Sequence, residues 1–335
     1  MNAPRTTRAF TLLELLVAAT ITLLLAGLML AITIETLKLW HRTQDNFSSS
    51  TQARLALDLL ERDLQAGVFR ADGVNTWLAI DVLNSPSALL SHGWQSASLM
   101  KPVTAESQRL LPVAANGLDP VVADARFGLS GAWLRFVTSN VEASGSLPVA
   151  VSYQVVRRPA SGPNNSAANP AQVRYTLFRS AVAAETTFAT GYDMLAVAYA
   201  STASAPSVAR SNPTLTNPPL SDALAVNVVD FGIWLHVRDN AGTLRRIFPA
   251  DNSDLVHAAR DAGSAGDANR YPEVAEVMLR ILTDEGARLI DAMEQGSGAI
   301  ARPVEYSSDA EWWWAVVEAN SRVYVRTVEI KGPVR

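Results

Sequence analysis

The sequence predicts an α+β protein in which one long N-terminal helix leads into a head built on an antiparallel sheet. Three observations carry this. Residues 15–34 hold no charged side chain and no proline. Apolar residues then recur at helical spacing, with Ala53, Leu57, Leu60 and Leu64 on one stripe. Beyond Gly67 the helical period is lost, and short segments alternate apolar and polar at the period of a strand.

The apolar run is long enough for a helix across the hydrocarbon core of a bilayer, which takes about 20 residues. A cleaved secretory signal would have a shorter core ending in a small-x-small site. The expected transmembrane part covers about residues 12–35. A second, amphipathic part follows at about 45–66, where Leu55, Ala56 and Leu59 widen the stripe. Arg54–Asp58 and Asp58–Arg62 have the four-residue spacing of helix-surface ion pairs. Gly67 is the expected stop. A helix apolar all round and then apolar on one face suits a membrane stalk whose upper part packs on a soluble head.

Two features go beyond a simple anchor. Glu14 sits between Leu13 and Leu15, where a carboxylate is costly and calls for a partner, or for water at the interface. Upstream, Arg5 and Arg8 precede a small residue, Ala9, and then Phe10. Lys38 and Arg42 flank the far end, so charge alone does not orient the span.

In the head, strand patterns occur at 132–137, 149–156, 173–178, 228–237 and 274–282. Residues 239–242, Asp-Asn-Ala-Gly, read as a hairpin turn between 234–238 and 244–248. Strands this closely spaced suit antiparallel pairing rather than βαβ units. Loops are expected near 159–170, 201–221 and 261–270. Ser308 and Glu311 have capping-box spacing before Trp312, Trp313 and Trp314, so a short helix to Asn320 and a last strand over 322–330 are expected. The Trp cluster reads first as core. Three successive side chains on a helix cannot share a direction, so Trp312, Trp313 and Trp314 are also a candidate interface for another subunit.

The net charge of −4 gives no electrostatic case for nucleic acid. The absence of cysteine excludes disulfides, thiolate metal sites and cysteine nucleophiles. The four histidines, His41, His92, His236 and His257, have no zinc spacing, and no nucleophile elbow, phosphate loop or dinucleotide fingerprint is present. Oxygen-bearing side chains at 251–254, with Asp261 and Asp267, do not match a calcium loop. The sequence therefore names no catalytic residue, metal ligand or cofactor.

The string Arg-Ala-Phe-Thr-Leu-Leu-Glu, residues 8–14, closely resembles the class III signal of type IV pilins and type II secretion pseudopilins. The resemblance implies a leader over residues 1–9, cleavage between Ala9 and Phe10 by a prepilin peptidase, and N-methylation of Phe10. Glu14 would be the glutamate that pairs, in an apolar filament core, with the new ammonium of a neighbouring subunit. Ala9 departs from the usual glycine. The stretch 53–67 is similar to the end of the first helix in J- and W-type minor pilins, and two later stretches resemble strands of those heads. The closing stretch 309–332 is similar to the Verru_Chthon cassette protein C group.

The resemblance implies a structural subunit, a minor pseudopilin or pilin-like component, and not an enzyme. Its expected partners are the prepilin peptidase, other pilin-like subunits, an inner-membrane assembly platform and membrane lipid. Its expected location is the inner membrane, single-pass, with the N-terminus cytoplasmic and the head, residues 67–335, periplasmic, before entry into a filament. The alternative is a membrane-tethered enzyme with a non-pilin extracytoplasmic head.

Overall fold

A computed structural model describes residues 12–82, 132–139, 147–159, 173–196, 199, 218, 220–251, 254–261, 266–294 and 301–330. Ala9, Phe10 and His92 lie outside the described residues, as do the side chain of His41 and the loop residues 160–170 and 201–217.

Helix α1 runs Leu12–Gln65, 54 residues. The chain divides into two units, Met1–Ser48 and Ser49–Arg335. In the first, Leu12–Lys38 is long and apolar enough to cross a membrane, with mean hydropathy 2.6 and no buried residue. Its hydroxyls are satisfied within the helix. Thr22 Oγ1 donates to the Ala18 carbonyl at 2.7 Å, and Thr20, Thr33 and Thr36 each bond a carbonyl one turn back at 2.8 Å. A segment in hydrocarbon needs this, because it has no water to turn to.

In the second unit the described strands form two antiparallel sheets. The strands are β1 Leu78–Val82, β2 Ala132–Thr138, β3 Val149–Pro159, β4 Val173–Ala181, β5 Ala223–Val226, β6 Val228–Arg238, β7 Leu244–Phe248, β8 Val256–Ala259, β9 Val274–Leu282 and β10 Ser321–Glu329. The six-stranded sheet has the order β5-β4-β3-β2-β1-β8, and the four-stranded sheet β10-β9-β6-β7. Phe136, Tyr153 and Leu177 of one sheet and Phe231, Ile233 and Leu279 of the other belong to a single buried core. The five strand patterns expected from alternation are all strands. The single expected sheet is two, because alternation marks which face of a strand is buried and not which strand it pairs with. The chain changes sheet at Asn227, whose φ is 61° and whose Nδ2 donates to Asp284 at 2.9 Å. Asn is among the few residues that tolerate that conformation.

The upper part of α1 closes this core. Ala53, Ala56, Leu57, Leu60 and Leu64 are buried. Leu55 and Leu59, expected to widen the stripe, do not. Leu55 is 60% exposed and Leu59 half-buried, while Asp63 is fully buried on the packed side. The helix ends where expected, but not by a left-handed glycine. A Cβ on Gly67 would stand 2.9 Å from both the Leu64 carbonyl oxygen and the Tyr271 hydroxyl, so close approach demands the glycine there. The expected hairpin forms between β6 and β7. Asp239 Oδ1 accepts from Ala241 and Thr243 at 2.8 and 2.9 Å, and Gly242 takes φ 81°.

Elements without a sequence expectation are β1, β5, β8, helix α2 Ala184–Thr190 and helix α3 Asp284–Glu294. All five residues of β1 are buried, which erases the period of two. Helix α3 had a readable start. Thr283 Oγ1 accepts from Gly286 N at 3.1 Å, acidic residues fill the first turn, and Ala287 and Ile290 are buried. Helix α4, Asp309–Ala319, starts as expected, with Ser308 Oγ accepting from Glu311 N at 3.1 Å. Glu311 in turn accepts from Ser307 N at 2.8 Å. Trp313 and Trp314 are buried in the core, their rings edge-on at 4.9 Å, as the first reading of the cluster expects. Trp312 is half-buried.

Candidate functional site

The site that the sequence singles out is the N-terminal helix. Glu14 lies in the first turn of α1 and is exposed. Around it Leu12, Leu13, Leu15 and Leu16 are between 57% and 85% exposed. A surface so apolar must be covered by lipid or by other helices. Glu14 is the one carboxylate among these exposed leucines.

Farther along, α1 is held to the head by ionic contacts. Asp63 Oδ2 accepts from the Tyr153 hydroxyl at 2.6 Å and from Arg179 Nε at 2.7 Å, and its Oδ1 accepts from Arg179 Nη2 at 3.2 Å. The Thr138 hydroxyl donates to the Asp63 backbone carbonyl at 2.9 Å. Burial, and then the negative charge of Asp63, push the Tyr153 hydroxyl well above its usual pKa. Burial opposes the charge on Arg179, but the bond to Asp63, the charges of Tyr153 and Asp63 and the Tyr153 contact together outweigh it and raise the guanidinium above its ordinary value. At the far edge of the second sheet, Arg326 of β10 bonds both Asp58 and Glu61, the latter at 2.7 Å. These bonds, the Asp58 bond first, raise the Arg326 pKa. Gln52 Oε1 accepts from Val226 N of edge strand β5 at 3.0 Å.

These contacts do what an apolar stripe cannot. Leu57, Leu60 and Leu64 repeat at near-helical intervals, so a shift of one turn, about 5.4 Å, would exchange one leucine for another. The carboxylate of Asp63 has no substitute one turn away, where Leu59 and Gly67 stand. The polar partners therefore set the register of the helix on the head. They also correct a sequence expectation. Asp58 is taken by Arg326 and pairs with neither Arg54 nor Arg62. A periodic pattern shows neighbours on the helix surface and gives no sign of a cation 268 residues away.

Other polar clusters in the head are structural. Glu294 accepts from Arg157 Nε at 2.6 Å, the Tyr175 hydroxyl at 2.7 Å and Trp313 Nε1 at 3.1 Å, which ties α3, α4 and the first sheet together. Burial, then the Glu294 charge, push the Tyr175 hydroxyl well up. Arg135 stacks over Trp133, with its carbon 3.9 Å from the ring centroid, and pairs with Asp81. His257 is buried and donates from Nε2 to the Arg270 carbonyl at 3.0 Å. Burial pushes its pKa down to about 4. His236 is half-buried in β6. Asp254 Oδ2 accepts from Ala250 N at 2.6 Å within its own loop, and Asp267 pairs with Arg245 of β7. Among the described residues no group of three or more His, Asp or Glu side chains could hold a metal.

Helix and head together define a helix-anchored α+β protein with antiparallel sheets and a single membrane-crossing candidate among the described residues. Residues 4–30 match the family model of the prokaryotic N-terminal methylation motif. That match and the apolar helix support a type IV pilin-like protein, a single-pass membrane anchor processed by prepilin peptidase, and a fold consistent with the pilin-like class. The comparisons with curated proteins and with solved structures return no match.

Proposed function

We propose that the chain is a minor pseudopilin or pilin-like subunit of a type II secretion or type IV pilus filament. The observation that carries this is continuity. The methylation motif at residues 4–30 runs directly into a helix whose apolar surface is exposed on every side. On this reading prepilin peptidase cuts between Ala9 and Phe10, and Phe10 is methylated. The N-terminus faces the cytoplasm and the head the periplasm. With an inner-membrane assembly platform, the subunit then leaves the bilayer and packs its helix among other pilin-like subunits. The ammonium of Phe10 and a neighbour's Glu14 each cost too much alone in an apolar core, and their pairing sets the register between subunits. The large head suits a minor, tip-proximal place, of the J or W type, because bulky heads crowd a tight helical stack. The likeness of its last stretch to the Verru_Chthon cassette protein C group fits the same class. Of the Trp cluster, Trp312 alone keeps a side for a subunit contact.

Mass spectrometry of the membrane-extracted protein tests the reading. The expected N-terminal peptide begins at N-methyl-Phe10. An intact Met1 terminus, or a cut beyond the apolar run, would overturn it.

A further inference from the structure

We draw no further inference here: the strongest candidate, the buried side-chain cluster of Arg135, Asp81 and Trp133 on the six-stranded sheet, carries nothing because Arg135 already has its counter-charge in Asp81 and its stacking partner in Trp133, and nothing among the described residues shows what would occupy the space beside its Nε and Nη1.

Discussion

Removing the upper part of α1 should unmake the head. The unit Ser49–Arg335 includes that part, so a chain starting at Thr43 keeps the whole unit and loses the apolar span. A chain starting at Val68 loses Leu57, Leu60 and Leu64, all at most 5% exposed, with Ala53 and Ala56. At about 1.5–3 kcal/mol for each fully buried Leu, the three leucines contribute about 5–9 kcal/mol. That is comparable with the whole stability of a domain, about 5–15 kcal/mol. The loss also strips Arg179 and Tyr153 of the Asp63 carboxylate. Thermal unfolding followed by circular dichroism, with size exclusion for aggregation, compares the two chains. The longer one should be monomeric with a cooperative transition, and the shorter one should aggregate or melt far earlier. Leu60→Ala in the longer chain is the graded version. A cost of about 2–5 kcal/mol lowers its melting temperature by roughly 5–15 °C. Equal melting of the two truncated chains, or an unchanged Leu60→Ala, would refute the packing of α1 on the sheets.

Three further outcomes are expected. Asp63→Asn leaves the Arg179 guanidinium without its counter-charge and costs about 3 kcal/mol in denaturant unfolding, whereas Arg326→Ala, at a more exposed site, costs about 1 kcal/mol or less; equal costs would contradict the burial argument. His257 is held neutral, its pKa lowered from 6.5 to about 4, so its contribution is fully present above pH 6.5 and lost as pH falls through 4. That window is worth about 3 kcal/mol, and the stability of His257→Gln should lack this component of the pH slope. On the proposed pairing, Glu14→Leu still inserts in the membrane, being more apolar, but is missing from sheared filaments; normal recovery beside wild type would count against the pairing.

Length and periodicity by themselves determined the helix, its two characters and most strands of the head. Those properties are local. An uncharged run of this length has few homes other than a membrane, and the stripe of Ala53, Leu57, Leu60 and Leu64 repeats only if the backbone is helical. The cleavage motif was legible for the same reason, because a short contiguous string carries it. Only the tertiary structure decided how the strands divide into two sheets, why Asp63 is buried, and where Asp58 spends its charge. Each depends on a partner far along the chain. Arg179 reaches Asp63 across 116 residues, and Arg326 reaches Asp58 across 268. A side chain's sequence neighbours show which faces it can occupy, but its ion-pair partner is set by which strand the fold lays beside it. The Trp cluster shows the same division. Three in a row guaranteed different directions, and the packing of α4 on Tyr175 and Glu294 settled that Trp313 and Trp314 point inward and Trp312 lies at the edge.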